Sequence, residues 1–123
     1  MLVYNNTVTS KEKGDRGETL AVADYEKRGY RLLERNYRCL YGEIDAVLEK
    51  GALIVFLEVK VVDFSGMESL ADLINARKRK KISESARHYL TVKKQENRDF
   101  RFDVAAVLSD IKSVTIFENA FTE

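Results

Sequence analysis

The stretch from Gly42 to Lys60 constrains the fold more than any other part of the chain. Two strand-like runs, Gly42-Glu43-Ile44-Asp45-Ala46-Val47-Leu48-Glu49 and Ala52-Leu53-Ile54-Val55-Phe56-Leu57-Glu58-Val59-Lys60, flank Lys50-Gly51. Branched and aromatic residues dominate both runs and Lys50-Gly51 is a plausible turn, so an antiparallel hairpin is predicted. A turn centred on Lys50-Gly51 sets Leu48 against Leu53, Asp45 against Phe56 and Glu43 against Glu58. Side chains alternate faces along a strand. Ile44, Ala46, Leu48, Leu53, Val55, Leu57 and Val59 then form one hydrocarbon face. The other face carries Val47, Ile54 and Phe56 near the turn, then Asp45, Glu43, Glu58 and Lys60 towards the open end. A three-residue loop would shift the pairing by one and send Asp45 and Glu58 to opposite faces.

Carboxylates gathered on one patch of sheet repel, at roughly 0.2–1 kcal/mol for a cross-strand pair. One neutraliser is a hard divalent cation, Mg²⁺ or Mn²⁺, held by one or two carboxylates together with waters and substrate phosphate. The same pattern also describes the wet face of an edge hairpin balanced by nearby Lys and Arg. From the residues alone both readings stand.

A chain of 123 residues is one domain. Residues 1–12 read as a flexible tail and 13–123 as the folded unit. Apolar content of 45% and charged content of 33% are those of an ordinary soluble protein. The longest apolar run, Ala52 to Leu57, is far too short to cross a membrane. The N-terminus lacks the basic start and apolar middle of a signal peptide. Cys39 is the one cysteine, which excludes an internal disulfide and suits a reducing compartment; a cytoplasmic location is expected.

Net charge is only +1, but its distribution is uneven. Arg77-Lys78-Arg79-Lys80-Lys81 is an unbroken basic run, followed by Arg87, Lys93, Lys94, Arg98 and Arg101. Such a stripe on a near-neutral protein is the electrostatic footprint of a phosphate-backbone binder. It is also the pattern of a solvated helix face.

No proline, repeat or low-complexity segment divides the chain. A helix is predicted from about Lys13 to Arg28, with Gly14 and Gly17 loosening its start, Leu20, Ala21, Ala23 and Tyr25 on its apolar side, and Gly29 ending it. Tyr30 to Tyr37 reads as a strand, and the hairpin supplies two more. Ser65 to Glu68 reads as a loop. A second helix is predicted from about Ser69 to Val92, with Leu73, Ala76, Ile82, Ala86, Tyr89 and Leu90 as its packing face. Arg101 to Leu108 and Lys112 to Phe117 complete the strands. The order α-β-β-β-α-β-β predicts an α/β fold, a mixed sheet flanked by helices, with the second helix crossing over to the fourth strand.

Six motifs occur in a recognisable order: Gly14-x-x-Gly17-Glu18, Asn36-Tyr37-Arg38, Gly42-Glu43-Ile44-Asp45, Phe56-Leu57-Glu58-Val59-Lys60, Lys78 with Ala86-x-x-Tyr89-Leu90, and Arg101-Phe102-Asp103-Val104. With them the chain resembles the YraN-like bacterial proteins, family UPF0102, over roughly residues 13 to 107. That family in turn resembles archaeal Holliday-junction resolvases and restriction-endonuclease-like nucleases of the PD-(D/E)xK type. The resemblance implies a restriction-endonuclease-like sheet and a Mg²⁺- or Mn²⁺-dependent nuclease acting on DNA rather than RNA, with branched or single-stranded DNA as candidate substrates. It implies metal ligation by Asp45, Glu58 and the Val59 carbonyl, with Lys60 beside the attacking water. Glu18 corresponds to the extra acid of the resolvase-like branch, and Glu43 takes a supporting role. Resolvase-like folds often form symmetric pairs, which makes a homodimer a candidate assembly.

In one place the chain departs from this pattern. A polar residue and an arginine usually follow the Glu-Val-Lys core, and here Val61-Val62-Asp63 follows. This motivates the rival reading, a non-catalytic nucleic-acid-binding module on the same fold. Lys78 or its basic neighbours are the candidates to replace that arginine.

The remaining residues each carry two readings. Asp103 is either a supporting carboxylate near the site or a structural partner of Arg101 or Arg38. Arg38 contacts phosphate, as Arg77 to Lys81 would, or buttresses Glu43 or Asp45. His88 has no carboxylate or cysteine at ligand spacing and reads as exposed or satisfied rather than catalytic. Cys39 has no neighbouring base, which argues against a nucleophile. Gly14 and Gly17 lack the strand-to-helix setting of a dinucleotide fingerprint.

Overall fold

The computed structural model describes residues 9–62, 73–108 and 113–123. Seven elements follow one another: α1 (Ser10–Lys27), β1 (Arg31–Cys39), β2 (Gly42–Lys50), β3 (Leu53–Val62), α2 (Ala76–Val92), β4 (Asp99–Leu108) and β5 (Ser113–Phe121). The five strands form one sheet in chain order, β1-β2-β3-β4-β5. Only the β3–β4 pair is parallel, and α2 lies in the connection between those strands, as a parallel pair requires. The predicted mixed α/β architecture and element order are therefore observed. The expected loop at Ser65–Glu68 and Ser69 itself lie outside the described residues, but the second helix does not run unbroken from Ser69 as expected: Asn75 is extended and α2 starts at Ala76.

Helix α1 begins earlier than expected. Thr9 and Glu12 form a capping box, each side chain bonding the other's backbone N–H, so residues 10–12 are helical rather than tail. Its buried stripe is Gly17, Glu18, Ala21, Val22 and Tyr25, spaced at three and four residues; Leu20 and Ala23 are only half-buried. Helix α2 is capped by Asn75, whose side chain accepts the Lys78 N–H at 2.9 Å. It buries Ile82, Ser85, Ala86, Tyr89 and Leu90, whereas Ala76 is exposed in its first turn.

The helices cover opposite faces of the sheet. On the α2 face Val47, Ile54, Phe56, Phe102, Val104 and Phe121 pack with Ile82, Ala86, Tyr89 and Leu90. On the α1 face Ala46, Leu48, Val55, Leu57 and Ala105 pack with Ala21, Val22 and Tyr25. Both faces of the central strand are buried, which explains the unbroken apolar run from Ile54 to Leu57. Among the described residues no helix is long and apolar enough to cross a membrane.

The central hairpin turns one residue later than predicted. Lys50 faces Leu53, Leu48 faces Val55 and Val47 faces Phe56, so the loop is Gly51-Ala52. Gly51 has φ +59 while Ala52 is not left-handed, the pattern of a type II′ turn with glycine first. Moving the turn by one residue shifts the register by two, so the assignment of residues to faces survives. Ile44 and Glu43 are the exceptions. Ile44 shares a cluster with Val47, three residues away, so alternation along β2 breaks between them, and the Arg38–Glu43 pair faces away from the Tyr37–Ile44 pair.

Candidate active site

That break in β2 builds the site. The β2–β3 ladder ends at Ala46 opposite Leu57, and one further step would set Asp45 across from Glu58. There the strands part, and Asp45 Oδ2 accepts the Val59 N–H at 2.7 Å in place of a backbone carbonyl. In an extended residue the N–H and C=O point to the same edge, so the Val59 carbonyl faces the same opening. On the other side of β2, the β1 ladder passes from Arg35–Ala46 to Tyr37–Ile44, and between them Asn36 takes φ +53. Asparagine is among the few residues that tolerate this region. The sheet is thus irregular on both sides of Asp45.

Asp45 and Glu58 are 9% and 4% exposed. Burial first, and the Glu58 charge second, push the Asp45 carboxyl up to about 7. Two ammonium groups approach Glu58 Oε2: Lys78 Nζ at 3.6 Å and Lys60 Nζ at 3.8 Å. Lys60 lies two residues along the same strand, on the same face as Glu58. Lys78 comes from the first turn of α2, which the Asn75 cap fixes in place. Val62 continues the Glu58–Lys60 face, at the second position after Lys60, where the resemblance places an arginine. Lys78 is the cation that the fold brings to Glu58 from outside the strand.

Glu18 is buried, and its carboxyl is raised by burial and by the Asp45 charge. Its oxygen is held by Arg35 at 3.2 Å, while Arg35 also donates to the Thr19 hydroxyl and the Asp15 carbonyl. Asn36 stands in the sequence only as part of the Asn36-Tyr37-Arg38 motif, with no role attached, and Arg35 carries no signal there. The left-handed tolerance of asparagine was the available signal for Asn36. Among the described residues, no group of three or more His, Cys, Asp or Glu side chains is assembled to hold a metal ion. The close acidic unit is the Asp45–Glu58 pair, with Glu18 drawn towards Arg35.

Other expected site residues lie apart from this centre. Glu43 faces Arg38 across the β1–β2 pair, and their exposed side chains bond at 2.9 Å. That is the buttress reading of Arg38. Asp103 is fully buried and its bonds are taken up elsewhere: Tyr25 Oη at 2.6 Å, two Arg101 nitrogens at 2.8 Å and the Asn119 N–H at 2.9 Å. It pairs with Leu57 across β3–β4 and binds Tyr25 of α1, so its partners are structural rather than those of the site. The basic run divides. Lys78 turns to Glu58, Arg79 is half-buried, and Arg77, Lys80 and Lys81 are exposed. His88 bonds the buried Tyr37 hydroxyl through Nδ1, a satisfied histidine. Cys39 is a free thiol packed against the α2-face core.

The chain matches the family described as "Uncharacterised protein family UPF0102" over residues 17–107. A UPF0102 protein of Alkaliphilus metalliredigens is 40% identical over 113 residues, covering 91% of this chain and 99% of that protein. A second, from Moorella thermoacetica, is 38% identical over 119 residues, covering 94% and 99%. A third, from Syntrophus aciditrophicus, is 44% identical over 96 residues, covering 76% and 74%. With the family matched from α1 through β4 and these relatives aligned along most of their length, the chain belongs to the UPF0102 family.

Proposed function

We propose that this protein is a metal-dependent nuclease that hydrolyses phosphodiester bonds in DNA. The observation that carries the reading is the Asp45–Glu58 pair, two buried carboxylates brought together where β2 leaves β3, with Lys60 and Lys78 beside them. The donor set fits Mg²⁺ or Mn²⁺. Such ions are held by one or two carboxylates plus waters and substrate phosphate, and need no closed protein cage. A bound ion supplies the activated water and neutralises charge on the scissile phosphate.

The chain's own residues do the rest. Asp45, Glu58 and the Val59 carbonyl offer the ligand oxygens. Lys60 orients the attacking water and stabilises charge developing on the phosphate. Lys78 takes the position of a phosphate contact that Val62 does not make. Glu18, anchored by Arg35, would be the additional acid for the ion, directly or through water. The first turn of α2 contains no acidic residue, so its basic side chains add to the positive end of the helix. That combination favours a phosphate backbone, with Arg77, Lys80, Lys81 and Arg38 as its solvent-side contacts. Resemblance to the PD-(D/E)xK nucleases adds support through the same residues.

The second reading, a non-catalytic nucleic-acid-binding module, is favoured by Val62 and by the pull of Arg35 on Glu18. Cleavage of labelled linear, single-stranded and four-way-junction DNA, with RNA alongside, separates the two. Each substrate is tested with Mg²⁺, Mn²⁺ and chelator, for wild type and Asp45→Asn. Metal-dependent cleavage lost in the variant supports the nuclease. Salt-sensitive binding without cleavage in both proteins supports the module.

A further inference from the structure

The tip of the β1–β2 hairpin has no structural reason to be apolar. Cys39 faces Gly42, so the loop is Leu40-Tyr41. Two-residue hairpin loops normally contain Asn, Asp or Gly with positive φ. Neither Leu40 nor Tyr41 is left-handed; Gly42 takes up the irregularity with φ +147. Leu40 is 91% exposed and Tyr41 44%. With Val92 they are the exposed large hydrophobic residues among those described, and these two stand side by side.

The tip is also held rigidly. The Tyr41 ring meets His88 edge-on with centroids 6.0 Å apart, and His88 is fixed by the Tyr37 hydroxyl. Gly42 lies against α2, where a Cβ would stand 3.4 Å from Ser85 Oγ and 3.6 Å from Lys81 Cβ. Beside Tyr41 opens a groove of about 400 Å³, lined by Ser83, Glu84, Arg87, His88, Thr91 and Glu123, with Arg87 ion-paired to Glu123. Lys81 on α2 flanks the tip with exposed positive charge, and Arg38 on the hairpin is exposed there too, bonded to Glu43. An anchored aromatic ring beside cations and a largely apolar groove edged by hydrogen-bonding side chains is the composition of a base-stacking platform. From Tyr41 to Asp45 is four residues of strand, about 13 Å. That spans roughly four phosphate steps at the ~3.4 Å rise of a stacked strand.

We propose that the Leu40-Tyr41 tip is a base-stacking wedge that selects DNA with unpaired bases for the Asp45–Glu58 site. The inference rests on the nuclease reading for the site and names its substrate class. In such DNA an unstacked base lies on the free face of Tyr41, its edge reaches the hydrogen-bonding side chains at the groove, and Leu40 blocks continuation of the neighbouring stack. Fully paired duplex offers no free base face and meets only the cations.

Binding in chelator tests this without cleavage. Single strands and gapped duplexes carrying 2-aminopurine, and a blunt duplex of the same sequence, are titrated with wild type, Tyr41→Ala, Tyr41→Phe, Leu40→Ser and Asp45→Asn. Wild type is expected to quench the 2-aminopurine and to prefer the single-stranded and gapped forms. Tyr41→Ala should weaken binding to those forms about tenfold and leave duplex affinity within about twofold. Tyr41→Phe should retain the preference, as should Asp45→Asn. Equal behaviour of Tyr41→Ala and wild type overturns the wedge, even if Asp45-dependent cleavage is found. Intact preference with no metal-dependent cleavage overturns the nuclease reading and leaves the wedge standing. Absence of DNA binding overturns both. A wild-type dimer that becomes monomeric in Tyr41→Ala, with DNA preference unchanged, assigns the tip to self-association and overturns the wedge.

Discussion

Gly17 of α1 and Val61 of β3 are packed so closely that a Cβ on Gly17 would stand 2.5 Å from Val61 Cγ2. The next nearest atoms, Val59 Cγ1 at 3.7 Å and Val107 Cβ at 3.9 Å, also belong to the sheet. This approach seats the helix that carries Glu18 close to Asp45. Val61 therefore packs beneath α1, on the face opposite Glu58 and Lys60. Gly17→Ala is expected to destabilise the protein by about 1–3 kcal/mol through overpacking against a stiff β-branched side chain. Adding Val61→Ala should recover much of that loss. Urea midpoints for the two single variants and the double variant measure the coupling, and strict additivity would count against the contact.

The raised Asp45 carboxyl predicts a specific pH dependence. Its folded value of about 7 lies above the ordinary 3.8, so the folded state keeps the proton longer than the unfolded chain. The associated stability is fully present below about pH 4 and is lost as pH rises to about 7. Asp45→Asn removes that loss. The variant should match wild type near pH 4 and exceed it at pH 8, by on the order of 1–4 kcal/mol. Mg²⁺ should raise the melting temperature of wild type at pH 8 and leave that of Asp45→Asn unchanged. Thermal melts across this range, with and without the ion, check both statements.

The divided basic run makes a prediction about salt. Arg77, Lys80 and Lys81 are exposed, whereas the Lys78 ammonium lies 3.6 Å from Glu58. Replacing each of the three exposed residues by Gln should lower the slope of log K against log salt by about 1. Lys78→Gln removes a phosphate contact as well as the partner of Glu58, so it should lower the slope by a similar amount and, unlike the other three, lower cleavage at saturating DNA. Filter binding between low and moderate salt reads the slopes, and cleavage in Lys78→Gln no lower than in the other three variants would remove Lys78 from the site.

Asp103 is expected to matter for folding and not for chemistry. Its oxygens are bonded by Tyr25, Arg101 and the Asn119 N–H in a fully buried setting. Arg101→Met leaves that carboxylate without its cation and should cost about 3–5 kcal/mol. Tyr25→Phe removes one bond and should cost about 1–3 kcal/mol. Under conditions where both variants remain folded, nucleic-acid cleavage should stay near wild type. A large loss of cleavage without loss of stability would return Asp103 to the site.

The alternation of Ile54, Phe56 and Glu58 against Val55, Leu57 and Val59 makes the central strand legible in the sequence itself, because a period of two is a local property of the chain. The spacing of Ile82, Ala86, Tyr89 and Leu90 did the same for α2. Element order followed, as did the shared face of Glu58 and Lys60. What local pattern does not encode is where two segments meet. The register differs by two because Gly51, rather than Lys50, leads the turn, which takes Asp45 away from Phe56 and leaves it just beyond the last paired residues, beside Glu58. The break between Ile44 and Val47, the left-handed Asn36, the grip of Arg35 on Glu18 and the reach of Lys78 to Glu58 all join residues distant in sequence or depart from strand periodicity. Asp103 illustrates the limit: its residue type suits an active site, and its buried partners Tyr25 and Arg101 make it structural. Residue types and their periods thus determine the elements, their faces and the stock of chemically capable groups. The pairing of those groups depends on the free energy of packing two helices on one sheet, which no short window of sequence contains.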